Sequence, residues 1–348
     1  MQFSKNGFVL LNCERRWSGE TGKHAGLKIP CSKELVGSTP TSSTMQKLLV
    51  VLGQTATGKS ALAVSLARRF GGEVISADSR QVYEGLAIGT GAIAQAEQRG
   101  VPHHLLGVAN PRSEFSVADF KHLAEIAASD ILRREKLPIV VGGTGFYIQT
   151  VVDNIVPPEV PPDAALRARL GEKSAPELLE ELRRLDPDRA ETIEPENGRR
   201  LVRAIEIATH LGSVPRRQEP NPKYEVLEIG LALPERELRA RIEQRVRERL
   251  ERGWVDEVHA LLERGVPLAR LRELGLGYRV LAEALADQKH SNILQNVRMS
   301  ALGERIAIAE WQYAKRQARW FKRDQRIRWF HSSEETKITE LVSEFLKR

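Results

Sequence analysis

The tightest constraint on this chain is a strand, a glycine loop and a helix met in that order. Lys47 to Leu52 reads KLLVVL, a short apolar run suited to a parallel strand buried on both faces. It leads into Gly53-Gln54-Thr55-Ala56-Thr57-Gly58-Lys59-Ser60, which fits G-x-x-x-x-G-K-[ST], and then into ALAVSLARRF, a helix-forming stretch. The glycines let backbone N–H groups converge on a phosphate at the positive end of the helix, Lys59 adds a full charge, and the Ser60 hydroxyl can hold Mg2+. A site for a di- or triphosphate group follows; the molecule that carries it stays open.

Further strand-type runs agree with this start. Glu73 to Ala77 (EVISA) and Leu137 to Val141 (LPIVV) are two of them, the second ending in Gly142-Gly143-Thr144-Gly145, and Phe120 to Arg134 between them has a helical pattern. Strands alternating with helices predict an α/β fold, a P-loop NTPase-like parallel sheet flanked by helices, with ligands at the carboxyl ends of the strands. Asp78 and Thr144 fall at such ends. After Ile155 the composition changes. Val156 to Pro162 (VPPEVPP) is a proline-rich hinge, charged helical sequence runs as far as Pro215 to Pro222, and a strand-like run resumes from Val226 to Leu233. The expected division is a core of residues 45–155 and 223–348, with its last helices, and an inserted helical domain of residues 156–222; 348 residues suffice for both.

Residues 1–44 stand apart, with no sustained periodicity and only Gly, Ser, Thr and Pro from Gly37 to Thr44. They read as a non-native or disordered leader, with the true start at Met45. Val36-Gly37-Ser38-Thr39-Pro40-Thr41 back-translates to GTG GGT TCG ACT CCC ACN, a string that folds as a tRNA T-arm, as expected if a tRNA gene lies upstream of Met45. Both cysteines, Cys13 and Cys31, lie in this leader, so the remainder has no disulfide framework or cysteine zinc site and suits a reducing cytosol. The net charge of +7 permits a polyanionic partner without naming one. No apolar run approaches the ~18 residues that would cross a bilayer.

Several segments then join the phosphate loop in order: Asp78-Ser79-Arg80-Gln81-Val82-Tyr83, Ile88-Gly89-Thr90, Pro102-His103-His104-Leu105 and Val141-Gly142-Gly143-Thr144-Gly145-Phe146-Tyr147. The set resembles the tRNA dimethylallyltransferase family, also called the IPP transferases. Matches continue at Arg199-Arg200-Leu201-Val202-Arg203-Ala204-Ile205-Glu206, Leu238-Arg239-Ala240-Arg241-Ile242, Gly277-Tyr278, and Tyr313-Ala314-Lys315-Arg316-Gln317 with Trp320, so the similarity spans about Lys47 to Phe330. The chain departs from the family pattern at Gln54, where Pro is usual, at Ala87, where an acid is usual, and at Gly91, Ala92 and Ile93, which replace Ala-Lys-Pro.

The resemblance implies an enzyme that moves a dimethylallyl group from dimethylallyl diphosphate to N6 of adenosine 37, next to the anticodon of a tRNA, releasing diphosphate. Gly53, Gln54, Thr55, Ala56, Thr57, Gly58, Lys59 and Ser60 would then hold the diphosphate or a nucleotide, Ser60 would hold Mg2+, and Thr55 and Arg241 would act at the bridging oxygen and the diphosphate, with Arg245 as the alternative. Charge builds on phosphate oxygens as an allylic C–O bond breaks, so donors aimed there are the expected device. Asp78 would take the amine proton as general base; spacing alone reads it equally as a strand-end Asp capping a turn. The adenine has to leave its stack to reach that carboxylate, with Gln81 reading its edge and Ser79, Arg80 and Thr144 beside it.

The inserted domain would clasp the anticodon stem-loop through Arg167, Arg199, Arg200, Leu201, Val202 and Arg203. From Asp163 to Arg217 there are 11 Lys/Arg and 11 Asp/Glu, so any grip has to be local. Arg298 to Arg328 is more basic, with nine Lys/Arg against three acids, and suits a phosphate backbone. On a helix, Tyr313, Gln317, Trp320 and Phe321 share one stripe there, which reads as core packing. His103-His104 lacks a third metal ligand and reads as structural. The family further implies a monomer in the cytoplasm, with Mg2+ as cofactor and no membrane partner. The alternatives are an adenylate isopentenyltransferase, a P-loop small-molecule kinase using ATP, and a non-catalytic RNA-binding module. The insertion and the basic stretch would be idle on a free nucleotide, and Lys59 with Asp78 would be idle in a module without catalysis.

Overall fold

The computed structural model describes residues 45–216, 219–287 and 297–348. The leader, and with it the start at Met45 as a reading of residues 1–44, lies outside the described residues, as do Arg217 and the side chain of Arg298. Strands β1 (Gln46–Gly53), β2 (Gly72–Ser76), β3 (His103–His104), β4 (Leu137–Gly142), β5 (Tyr224–Ala232) and β6 (Arg328–His331) form one sheet in the order β3-β2-β4-β1-β5-β6, with every neighbouring pair parallel. Helix α1 (Lys59–Phe70) follows β1, and two short helices, α2 (Ala87–Thr90) and α3 (Gln95–Gln98), precede β3. Helix α4 (Val117–Arg133) leads to β4 and α5 (Gly145–Val152) leaves it.

The apolar run of β1 is explained by what covers it. Side chains alternate across a strand. Leu48, Val50 and Leu52 therefore pack with Phe120, Ala124 and Ile131 of α4 and Ile148 of α5, whereas Leu49 and Val51 pack with Leu62 and Leu66 of α1 on the other face. With both faces buried there is no place for a polar residue, and each such side chain contributes roughly 1.5–3 kcal/mol by leaving water. The edges are weaker in sequence signal. Strand β3 is two residues long, and β6 is an edge strand with Arg328 and Trp329 exposed. At the start of β2, buried Glu73 accepts hydrogen bonds from His104 and Lys136 and is also paired with Arg134. Burial alone would raise its carboxyl, but these partners hold it at about 2. His103 instead contacts the Val101 carbonyl at 2.8 Å, so the two histidines serve different neighbours.

Between α5 and β5 the chain makes α6 (Ala164–Gly171), α7 (Ala175–Leu185), α8 (Pro187–Thr192) and α9 (Gly198–Leu211), which share a cluster of their own around Leu170, Leu182, Leu201 and Ile205. Helices α10 (Glu235–Glu251), α11 (Trp254–Glu263), α12 (Leu268–Leu274), α13 (Leu276–Asp287) and α14 (Val297–Phe321) separate β5 from β6, and α15 (Glu335–Lys347) follows.

One polar node braces the inserted helices. The carboxylate of Glu206 on α9 is buried and accepts from the Asp163 amide at 2.7 Å, from Arg167 Nε at 3.0 Å and from Arg203. Burial alone would raise this carboxyl; the bonds from Arg167, Asp163 and Arg203 hold it below its usual range. Arg203 also donates to the Val160 carbonyl, in the proline-rich entry to the domain. Truncating a partner of a buried carboxylate costs on the order of 1–3 kcal/mol. Arg203→Ala is therefore expected to lower the thermal midpoint, whereas Arg199→Ala, which removes no ion pair seen among the described residues, leaves it unchanged. Equal midpoints for the two variants would contradict this account of the node.

Candidate active site

A cavity of about 1170 Å³ opens at the carboxyl ends of the strands, lined from β1 by the phosphate loop, from β2 by Asp78 and Gln81, from β4 by Gly142 and Gly143, and from β5 by Leu231. Parallel α/β sheets bind their ligands at this end. Asp78, at the end of β2, and Lys59, at the start of α1, line one space although β4 separates their strands.

The loop is held from both sides. Gln54 lends its carbonyl to Lys59 Nζ and to Thr57 Oγ1, and its side-chain amide donates to the Ala314 carbonyl of α14 at 3.1 Å. Thr57 is thus a buried brace of the loop rather than a group facing the cavity. Ala56 takes the left-handed conformation with φ of 62°, costly for a residue with a Cβ, and packs that Cβ with Leu238 and Ile242 of α10 and Ala314. The Thr55 amide donates to Gln317 Oε1 at 2.9 Å, while Gln317 Nε2 donates to the Gly143 carbonyl at 2.9 Å. One buried side chain of α14 therefore ties the phosphate loop to the end of β4. Gly143 has to be glycine for this contact, because a Cβ there would lie 2.2 Å from Gln317 Nε2. Gly142 is equally confined, with the Ala77 carbonyl 2.1 Å from where its Cβ would be.

Helix α10 supplies three arginines four residues apart, hence on one face. The outermost, Arg241, lines the cavity and pairs with Glu237 at 2.8 Å. The innermost, Arg249, is buried against Glu310 at 2.6 Å. Between them Arg245 has no carboxylate partner among the described residues; its guanidinium donates to Thr55 Oγ1 at 3.4 Å. Burial and the charge of Arg249 push Arg245 down to about 10. Burial and the charge of Arg245 push Lys59 down to about 7, with Asp78 opposing. Two cations are thus held close together at the phosphate loop, which makes its surroundings favourable to an anion.

The end of the cavity around Asp78 is more heavily hydrogen-bonded. Asp78 Oδ1 accepts from the Arg80 amide at 2.8 Å and the Gln81 amide at 3.3 Å, which makes Asp78 the cap of the turn after β2. Among the described residues no hydrogen bond engages Oδ2. Capping and chemistry are thus compatible, one oxygen for each. Gln81 accepts from Ser76 Oγ at 3.2 Å and donates to the Thr90 carbonyl at 3.4 Å, which orients its amide and leaves one N–H and one lone pair for a ligand. The Ser79 amide donates to Thr144 Oγ1 at 3.0 Å, and the Tyr313 phenol lines the same cavity as Asp78. Burial and the Asp78 charge push that phenol up to about 12, so it stays a donor.

The candidate residues thus fall into two groups. Thr55, Ala56, Gly58, Lys59, Ser60, Asp78, Gln81, Arg241 and Arg245 share the cavity, with Ser60 exposed to it, whereas Gly53, Gln54, Thr57, Ser79, Arg80 and Thr144 support it without lining it. The candidates on the inserted helices lie elsewhere: Arg167, Arg199, Val202 and Arg203 line a separate cavity of about 470 Å³, Arg200 pairs with Glu194 at 3.0 Å, and the Leu201 side chain is fully buried. Leu201 supports the helix and does not present its side chain to a partner. Tyr313 and Gln317, assigned from sequence to core packing, both line the main cavity. Their signal was present as two polar groups four residues apart on an otherwise apolar stripe.

Comparison with known proteins fits this geometry. Residues 81–324 match the IPP transferase family, and residues 46–107 match the isopentenyl transferase family. The chain is 37% identical over 305 residues to the tRNA dimethylallyltransferase of Anoxybacillus flavithermus, covering 86% of this chain and 95% of the relative, and 41% identical over 309 residues to that of Acidothermus cellulolyticus, covering 85% and 92%. The crystal structure of the full-length tRNA isopentenylpyrophosphate transferase from Bacillus halodurans is 33% identical, with a TM-score of 0.64, covering 87% of this chain and 97% of that one. A eukaryotic dimethylallyltransferase described as acting on tRNA is 29% identical with a TM-score of 0.66, covering 79% and 70%.

The lowered Lys59 makes the anion requirement measurable. Below its value of about 7 the ammonium is charged in the free protein; above that, binding a diphosphate has to take up a proton. The Kd for inorganic pyrophosphate is therefore expected to rise with pH between 7 and 9 by up to about tenfold per unit more in the wild type than in Lys59→Met, a difference in which the ligand's own ionisation cancels. Parallel pH profiles for the two proteins would contradict the placement of Lys59 against the phosphate.

Proposed function

The chain belongs to the IPP transferase family, and on that premise we propose that it transfers the dimethylallyl group of dimethylallyl diphosphate to N6 of adenosine 37, beside the anticodon of a tRNA, releasing diphosphate. The observation that carries this reading is the sharing of one cavity by two cations, Lys59 and Arg245, and a carboxylate, Asp78, where among the described residues neither cation has a salt-bridge partner and Asp78 Oδ2 has no hydrogen bond. Transfer from a diphosphate to a weakly basic amine needs both.

As N6 attacks, a C–N bond forms, the allylic C–O bond breaks, and its electron pair leaves with the diphosphate. Lys59, Arg245 and the loop amides face the growing charge, and Arg241 meets the diphosphate from the rim. Such fixed donors act where charge develops and need no reorganisation. Asp78 Oδ2 takes the N6 proton, which frees the lone pair otherwise delocalised into the ring. Gln81, fixed by Ser76 and Thr90, reads the purine edge.

Ser60 suits a magnesium site of the phosphate-bound kind, because among the described residues no group of three His, Cys, Asp or Glu is arranged for a metal and the ion's other ligands would be phosphate oxygens and water. Bound there, Mg2+ would neutralise charge on the diphosphate. The inserted helices, residues 156–222, grip the anticodon stem-loop chiefly through Arg199, with Arg167 and Arg203 holding the domain in shape. The protein works as a monomer in the cytoplasm; among the described residues no helix is long and apolar enough to cross a membrane.

Asp78→Asn keeps the cap, since an amide oxygen still accepts from Arg80 and Gln81, but cannot take a proton. Its single-turnover rate is expected to fall ~100-fold or more with tRNA affinity little changed. Lys59→Ala is expected to weaken donor binding as well as rate, because a phosphate-facing charge acts in the ground state and the transition state alike. Near-normal single-turnover prenylation by Asp78→Asn would remove the general base from this mechanism.

A further inference from the structure

The diphosphate end of the cavity has a wall that the chemistry above leaves without a role, the turn between β6 and α15. Ser332 lines the cavity, its Cβ 3.9 Å from where a Cβ on Gly58 would lie, and Glu335 anchors the turn to α1 through Ser65. His331, the last residue of β6, has both ring nitrogens occupied. Ser333 N–H donates to Nδ1 at 3.2 Å with the Ser333 hydroxyl beside it at 2.7 Å, which puts the ring proton on Nε2. Nε2 faces Glu237 Oε2 at 3.4 Å, and the other oxygen of Glu237 holds Arg241 at 2.8 Å. The His331 amide is in turn held by Glu334 at 2.8 Å.

We infer that His331 is a positioning residue for the diphosphate contact of Arg241, acting through Glu237. The arrangement answers a physical problem. A carboxylate beside a phosphate-binding arginine fixes that arginine but also cancels its charge and repels the ligand. A hydrogen bond from His331 Nε2 to Oε2 draws charge to the far side of Glu237 and fixes the carboxylate plane, so that Oε1 orients Arg241 while the guanidinium keeps donors for the diphosphate. The terminal turn thereby becomes part of the donor site. All three side chains are partly exposed, at 37%, 38% and 41% for His331, Glu237 and Arg241, so the effect belongs to the range of exposed pairs and amounts to about two- to fivefold in affinity.

This inference rests on the assignment of Arg241 to the diphosphate, and the test separates the two. Binding of inorganic pyrophosphate with Mg2+ is measured calorimetrically for the full-length wild type, His331→Leu, His331→Gln, Arg241→Ala and the double variant His331→Leu/Arg241→Ala. The expected results are a two- to fivefold weaker Kd for His331→Leu, recovery in His331→Gln, whose amide can still donate to Glu237, and no further loss on adding His331→Leu to Arg241→Ala. In turnover, His331→Leu is expected to raise KM for the donor and leave kcat and the KM for tRNA unchanged. If Arg241→Ala weakens binding but His331→Leu does not, the positioning role is overturned. The same follows if His331→Leu weakens binding equally with and without Arg241. If Arg241→Ala itself leaves pyrophosphate binding unchanged, the assignment of Arg241 fails, and the inference with it.

Discussion

Two cations, Lys59 and Arg245, that line one cavity with no salt-bridge partner among the described residues set the terms for this structure. Burial lowers both, the charge of Arg245 lowers Lys59 and that of Arg249 lowers Arg245, so the arrangement is unfavourable and has to be enforced. The enforcement comes from three directions. Lys59 is fixed by the loop and the amino end of α1. Arg245 is fixed by its place on α10 between two arginines that are neutralised by Glu237 and Glu310. The loop itself is fastened to α14 by Gln54 and Gln317. Free energy invested in this local repulsion is recovered when an anion arrives, which is the physical sense of a preorganised site.

The same fastening joins donor chemistry to acceptor chemistry. Gln317 reaches both the phosphate loop and the Gly143 carbonyl, and one residue further on Thr144 accepts from the Ser79 amide beside Asp78. A displacement of α14 would therefore shift the phosphate loop and the end of β4 together. Gln54 makes this chain's own contribution: its side chain reaches the Ala314 carbonyl, a bond that the proline usual at this position in the family could not make.

What could be read from the sequence follows from how local the controlling physics is. The run KLLVVL and the glycine loop encode strand, turn and helix within themselves, and the proline-rich stretch from Val156 separates α5 from α6 for the same reason. Strands β3 and β6 escape because they are too short for periodicity to show. The choice between Arg241 and Arg245 could not be made from spacing, since residues four apart share a helix face; only the packing of Leu238 and Ile242 against Ala56 and Ala314 turns Arg245 toward Thr55. Arg167 and Arg203 look like free cations until the fold brings the buried Glu206 between them. Tyr313 and Gln317 were legible as one face of a helix but not as the face of a site. His331 and Glu237 are 94 residues apart and carry no local signal at all.

Whether one cavity brings an allylic diphosphate and a tRNA adenine together can be read from a single incubation. The protein is mixed with Mg2+, labelled dimethylallyl diphosphate and unmodified tRNA, and the RNA is digested to nucleosides. The account predicts label on N6 of the adenosine at position 37, with one diphosphate released for each group transferred. Unlabelled tRNA together with turnover of ATP, or label confined to added free adenine nucleotides, would contradict it.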